Sequence, residues 1–469
     1  MKVRVFIAEQ LGCHADVAYE CLRQLIMIAG WQTERIREER EASICYGDCM
    51  GPAVIVPSAS IQAWAGLSDA NPVNCGGLIV PDRCVLQGSN PPIIDPVLCA
   101  HFFMCGVYEK QPGMTDGTGI PGLGAARWGI TQQAAVQHCS EQIAGLLRRA
   151  LVLQTPAPAW PRGKTWALAL THDCDQPFRY RPRAFLKEAI AYIRDHRLRQ
   201  AALSLMKSGY SAVRLVGQDP YWDSWQRWED TERALGVRSA FYVATRSRFS
   251  AGSDVRDVPY AASKRALRDH VVRLHDQGWE IGLHASFNAW SDRCLLEEEV
   301  EWFEQCFRFL PQGVRSHFWS LGTGNREKAL SMFAECGPFR YDSSFGLDAI
   351  CGFRRGLCYP YRPYIAESGA STRLWELPPT VMDWGLQCAG KSRDDRLQAM
   401  RALIAITQQH HGVITLDWHE YTMCRGVMDG LAFHVAAELE SIAADSGCWI
   451  ATPGEIIAWC EEERWKQVS

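Results

Sequence analysis

No apolar run in the chain approaches the roughly 20 residues that a membrane-spanning helix needs. No large surplus of charge of either sign is present: 49 Lys and Arg stand against 53 Asp and Glu, a net charge of −4. The electrostatic footprint of a nucleic-acid-binding protein is therefore missing. The chain also lacks the second cysteine pair of a structural zinc site, since Cys45 and Cys49 are a lone close pair among 19 scattered cysteines. That number is odd, and Cys99, Cys105, Cys306 and Cys336 sit in apolar segments. Both features argue against a secreted disulfide framework and favour reduced, buried thiols. The N-terminus, "MKVRVFIAEQLGCHADV", is interrupted by Glu9 and Asp16 and reads as a first β-strand, not a signal peptide. A cytoplasmic protein is expected.

What is present is a globular composition, 47% hydrophobic and 22% charged, over 469 residues, enough for two or three domains. Residues 1–155 read as a smaller α/β unit. Helices are expected over 14–29, 94–110 and 134–151, with short strands in "PAVIVP" and "GGLIVP". This part brings no set of chemical groups together. Its "GTGIPG" (117–122) matches a dinucleotide fingerprint letter for letter, but no strand precedes it and Pro121 interrupts it, so it reads as a loop. "TPAPAWPRGK" (155–164) is a proline-rich connector and sets the boundary, with a second unit over 156–469.

Beyond the connector, strands are expected at 166–171, 238–244, 279–283, 313–316, 374–377 and 413–418. Helices are expected at 183–208, 261–277, 292–308, 324–336, 393–409 and 431–445. The alternation predicts parallel strands with right-handed crossovers, as a (β/α) barrel or a doubly wound sheet. In a barrel the chemistry sits at the C-terminal ends of the strands, and there the sequence carries it. The run "TWALALTHDCDQP" ends in Asp173 and Asp175; "EIGLHASFN" ends in His284 and Asn288; "GVRSHFW" carries Arg315 and His317; "LWELPPTVMDW" leads to Asp383; "VITLDWHEY" ends in His419. Taken singly, an Asp after a strand is usually a turn or cap, and a lone His a surface or core residue. Asp-x-Asp is more telling. On an extended backbone both carboxylates point the same way, which costs energy unless a cation or a proton lies between them. Carboxylates and imidazoles together are ligands for a divalent metal such as zinc.

Residues 165–460 resemble the polysaccharide deacetylases (the NodB-homology, carbohydrate esterase family 4 group). "THDCD" is similar to that family's Thr-Phe-Asp-Asp motif with one residue inserted, and "HASFN" to part of its His-Ser/Thr-x-x-His motif. Arg315, Asp383-Trp384 and "LDWHE" match its third, fourth and fifth motifs. The chain resembles more closely a bacterial subgroup with an extra N-terminal domain. It shares that subgroup's segments "IDPVLCAHFFMCGVYEK" (94–110), "GLHASFN" (282–288) and "YDSSFGLDAICGFRRGLCYPYRPY" (341–364). The resemblance implies a distorted (β/α) barrel behind a smaller α/β domain. It also implies a hydrolase that removes an N-acetyl or other N-acyl group from an amino sugar, with a divalent metal, zinc first. In that scheme Asp173 is the general base, Arg315 pairs with it, and His419 is the general acid tuned by Asp383. Asp175 and His284 hold the metal.

Two features depart from the family pattern. The second histidine of its metal triad falls at Asn288, so the third ligand is Asn288, placed first, or His317. The first two motifs are also far apart, and residues 194–230 read as a helical insertion. Its basic start and Trp222, Trp225 and Trp228 could line a glycan groove or touch a lipid carrier, or simply cover the barrel. The expected substrate is an N-acetylated amino sugar in a glycan or its precursor, lipid- or nucleotide-linked. A metal-independent C–N hydrolase and a catalytically degenerate glycan-binding protein stay open as alternatives.

Overall fold

The computed structural model describes residues 2–50, 54–89, 91–115, 121–151, 160–194, 196–214, 219–323 and 326–464. Residues 117–120 of the glycine-rich loop and 155–159 of the connector lie outside the described residues.

The first half opens on parallel strands β1 (Lys2–Ile7), β2 (Gln32–Arg35), β3 (Ile44–Tyr46) and β4 (Val54–Val56), in the order β2-β1-β3-β4. Helices α1 (Ala15–Ile28), α2 (Pro96–Met104) and α3 (Ala135–Leu151) share one apolar core with this sheet. "GGLIVP" pairs antiparallel with residues 72–75, in a separate hairpin. Helix α2 begins where a sequence signal says it should. Pro96 takes the first turn, and Asp95 accepts from the backbone N–H groups of Val97 and Leu98. The other Asp95 oxygen accepts from the Tyr46 hydroxyl at 2.6 Å, which ties helix to sheet.

The core of this half runs on into the second through Leu347, Leu357 and Tyr361. Beside it Glu109, fully buried, faces three guanidiniums of the second half. Arg354 donates to it at 3.0 Å, Arg326 donates to it, and Arg355 lies 3.7 Å away. Burial alone would push the Glu109 carboxyl up, but Arg354, Arg355 and Arg326 outweigh it and hold it low.

The second half is built on β5 (Trp166–Cys174), buried at all nine positions. Two helices follow, α4 (Pro182–Arg194) and α5 (Leu198–Arg214), where the sequence predicted one over 183–208; His196 between them has φ +56°. Then come α6 (Pro220–Leu235), β6 (Ala240–Val243), α7 (Arg265–Asp276), β7 (Glu280–Ala285), α8 (Arg293–Phe307), β8 (Gly313–Ser316) and α9 (Arg326–Cys336). The chain continues through β9 (Tyr341–Asp342), β10 (Trp375–Glu376), β11 (Val381–Met382), α10 (Arg393–Gln409), β12 (Val413–Asp417), α11 (Leu431–Ala443) and β13 (Cys448–Ala451).

All nine strands are parallel, in the order β10-β9-β8-β7-β6-β5-β12-β11, with β13 beside the first half of β5. The end strands β10 and β11 do not pair. The segment Leu377-Pro378-Pro379-Thr380 joins them, and proline has no N–H to give a ladder. The result is a distorted (β/α) barrel, open at one seam.

Alternation along β5 decides what faces the barrel interior. Ala167 and Ala169 pack inward with Tyr242 and Tyr341, and Thr171 and Asp173 continue that row. Trp166, Leu168 and Leu170 face the helical layer, as do His172 and Cys174. Trp225 and Trp228 of α6 are fully buried in the barrel wall, so they cover the barrel and line no groove. Among the described residues, no helix is long and apolar enough to cross a membrane.

Candidate active site

The strand ends converge. Asp173, at the inner mouth of β5, accepts from Arg315 Nη1 at 2.8 Å. Arg315 comes from β8, is fully buried, and is held on every side. Its Nη1 also reaches Thr171 Oγ1 at 3.0 Å and Asp417 Oδ1 at 2.6 Å. Its Nε donates to the Ser343 carbonyl and its Nη2 to the Ser343 hydroxyl, both at 2.9 Å. The guanidinium lies 4.1 Å from the centre of the Tyr242 ring. Burial raises the Asp173 carboxyl, but Arg315, with His284 and His419, outweighs it and holds Asp173 below its ordinary value. Asp173 is therefore ionised at neutral pH.

Asp417 differs although the same cation touches it. Burial dominates, Asp173 adds like-charge repulsion, and the carboxyl is pushed up to about 8. Its Oδ2 is buried without a hydrogen-bond partner. The two carboxyls share one guanidinium and titrate as a pair, with Asp173 held low and Asp417 pushed up. Asp417 was not singled out from sequence. Its only signal there is its place two residues before His419, on an otherwise apolar strand.

Asp175 lies just past the strand. Its backbone N–H and that of Gln176 are held by the buried Glu420 carboxyl, at 3.1 and 2.6 Å. Its Oδ1 sits 3.2 Å from His284 Nε2 and 3.4 Å from His317 Nδ1, and those two ring nitrogens are 2.9 Å apart. The far nitrogens fix the tautomers. His284 Nδ1 is 3.0 Å from the Arg315 carbonyl, and His317 Nε2 is 2.9 Å from the Arg256 carbonyl. A carbonyl only accepts, so each far nitrogen carries the proton. The two near nitrogens and a buried carboxylate oxygen thus meet at one point. Asp175 raises the His317 imidazole above its ordinary value, and a bound divalent ion would take the place of its proton. Such groups at one point need a cation or a shared proton between them. The three donor atoms lie within 4.8 Å of one another, as around one metal ion, and a set of two imidazoles and one carboxylate suits zinc or a similar divalent ion. The residues fit the group.

Asn288 is not in this cluster. The backbone N–H groups of Ser286 and Phe287 are tied to Glu299 and Asp257, at 3.1 and 2.8 Å, and the Asn288 amide donates to Asp254 instead. His317 occupies the third position. It opens a turn in which Phe318 takes φ +54°, and Phe318 lies against the imidazole with ring centres 4.6 Å apart.

His419 completes the ring of groups. Asp383 Oδ2 accepts from both the backbone N–H and the ring Nδ1 of His419, each at 2.8 Å. His419 Nε2 faces Asp175 Oδ2 at 3.4 Å. Burial lowers the imidazole, but Asp383, Tyr421 and Asp175 outweigh it and raise it well above its ordinary value. His419 is thus a cationic acid at neutral pH. A cleft of about 270 Å³ opens on Asp175 and His317, between Arg181, Arg248 and Phe318. His172 belongs to the other face. It bridges the Trp418 carbonyl and Glu232 at 2.8 Å each, outside the barrel.

No family profile matches the chain, and no curated protein does. Solved structures do resemble it. One is a Mycobacterium smegmatis protein assigned as a polysaccharide deacetylase, with 18% identity and a TM-score of 0.42, covering 66% of this chain and 95% of that one. Another is Puue allantoinase, with 13% identity and a TM-score of 0.43, covering 67% of this chain and 96% of that one. A third is a Pseudomonas aeruginosa PAO1 protein assigned as a polysaccharide deacetylase, with 14% identity and a TM-score of 0.42, covering 66% and 96%.

Proposed function

We propose that the chain is a metal-dependent amide hydrolase that removes an N-acetyl or other N-acyl group from an amino sugar. The observation that carries this reading is the meeting of two imidazole nitrogens and the Asp175 oxygen beside a separate carboxylate, Asp173, held low by a buried arginine. Asp175, His284 and His317 would hold the ion, zinc first. Bound there, it supplies Lewis acidity toward the amide carbonyl and the attacking water.

The remaining roles fall to the chain's own side chains. Asp173 takes the proton of the attacking water as the new C–O bond forms. Arg315 keeps Asp173 ionised and aimed. His419, protonated and oriented by Asp383, gives its proton to the nitrogen as the C–N bond breaks, so that a neutral amine leaves. The clustering of Asp175, His284 and His317 favours this reading over a metal-free hydrolase or a degenerate binding protein. The resemblance of the motifs from "THDCD" to "LDWHE" to those of the polysaccharide deacetylases implies an amino sugar as substrate, and a lipid- or nucleotide-linked glycan precursor in the cytoplasm is the form proposed. The proposed domain boundary follows residue 155.

Acetate release from a panel of N-acetylated amino sugars tests the reading. Turnover should vanish on chelation, return with zinc, and be absent in Asp173→Asn. Full activity in Asp173→Asn would overturn it.

A further inference from the structure

The hairpin of α4 and α5 is built inside out. Its buried positions are small: Ala189, Ala201, Ser204 and Ser211 are at most 4% exposed. Its large apolar side chains stand outward, with Ile190 60% exposed, Met206 71% and Val213 75%. A helix that only covers a barrel shows the reverse pattern. The outward residues form ridges. Leu186, Ile190 and Ile193 share one face of α4, and Met206, Tyr210 and Val213 share one face of α5, each at i, i+4 and i+7. The same stretch is basic. Residues 181–214 hold eight Arg and Lys against Glu188 and Asp195, in a chain whose net charge is −4. Glu188 is already paired with Arg248, while Arg183, Lys187, Arg194, Arg197, Arg199 and Lys207 are exposed.

An apolar ridge flanked by cations is complementary to an anionic lipid surface. The acyl boundary takes the ridge, and the headgroups take the Arg and Lys. The hairpin also stands beside the cleft. It starts at Pro182, a few residues after Asp175. Arg181, Arg183 and Lys187 line a groove of about 660 Å³ that shares Arg181 and Pro259 with the cleft.

We infer that the α4–α5 hairpin seats this protein on an anionic membrane surface, with the groove leading from that surface to the catalytic cleft. Joined to the amide-hydrolase reading, and resting on it in this one respect, the seat places the substrate's carrier in the lipid. The test is cosedimentation of the full chain with vesicles of mixed phosphatidylcholine and phosphatidylglycerol, against vesicles of phosphatidylcholine alone. The chain should bind the anionic vesicles, less so in high salt, and the neutral ones weakly. Arg194→Glu and Arg197→Glu should each weaken binding by about fivefold or more, the loss expected for one basic contact. Ile190→Ser with Met206→Ser should release the chain, with unchanged thermal melting as the control for folding.

Asp173→Asn should bind vesicles like the parent, and the hairpin variants should keep their turnover of a water-soluble sugar. Failure of the seat and failure of the hydrolase reading are thereby told apart. No binding to anionic vesicles at low salt, or equal binding to both kinds, overturns the inference. So does a change of oligomeric state in the serine variant with vesicle binding unaltered, which would make the ridge a contact between two copies.

Discussion

Replacing Arg315 by methionine should expose how much of the site depends on one cation. The guanidinium is fully buried and donates to Asp173, Asp417, Thr171 and Ser343 within 3.0 Å. Methionine fills much of the volume and supplies none of the charge. Removing one partner of a buried pair costs about 3–5 kcal/mol, because the other charge stays uncompensated.

The pH dependence carries a sign. In the parent, the folded-state pKa of Asp173 lies below its unfolded value. It therefore contributes stability above that unfolded value, and the contribution is lost as pH falls through the folded one. In Arg315→Met, burial becomes the dominant influence and lifts the folded pKa above the unfolded one. Its contribution is then present only in acid and is lost as pH rises. The deficit between variant and parent should accordingly be largest near neutrality and shrink on acidification. Urea unfolding at a series of pH values measures it. In parallel, the acid limb of kcat/KM should move toward neutral pH as the base takes up its proton. A deficit below about 1 kcal/mol at neutral pH, the scale of a surface pair, would refute the reasoning. So would a deficit that grows in acid.

Further outcomes follow from the same geometry. His317→Ala should weaken zinc binding in equilibrium dialysis by more than about 100-fold, the upper range for losing a mere outer partner, while Asn288→Ala should leave it nearly unchanged. His419→Ala should lower kcat by about 10²–10⁴-fold, the usual yield of a general acid. Asp383→Asn should shift the alkaline limb of kcat to lower pH, because the imidazole loses the carboxylate that raises it. Glu109→Gln should destabilise the chain by about 3–5 kcal/mol in chemical unfolding, since Arg354, Arg326 and Arg355 lose the one carboxylate they share.

Much of the barrel was legible in the sequence. The buried run before "THDCD" is an uninterrupted apolar strand, and strand–helix alternation at ordinary spacing carries topology. The strands at 341–342 and 381–382 are two residues long, too short for any periodicity, and no signal marked them. The candidate carboxylates, Arg315, Asp383 and His419 were legible because they lie at or just past strand ends. The choice between Asn288 and His317 was not. Spacing along the chain favours the residue four after His284, but the N–H groups of Ser286 and Phe287 are drawn to Glu299 and Asp257, and that turn carries Asn288 to Asp254. His317 reaches the site from the neighbouring strand, where His284 pairs with Arg315 in register. Asp417 was hidden inside an apolar run, since its burial against Arg315 is a product of packing. The inverted hairpin was also hidden. Its periodicity predicted helix, but which face turns outward depends on what the helices pack against.

The account's central claim is that Asp175, His284 and His317 hold one divalent ion beside an ionised Asp173. Anomalous scattering at the zinc edge from crystals of zinc-loaded protein tests it most directly. The account predicts a single strong peak within bonding distance of Asp175, His284 Nε2 and His317 Nδ1. A peak bound by Asn288 instead of His317, or no peak among these side chains at full zinc loading, would contradict it.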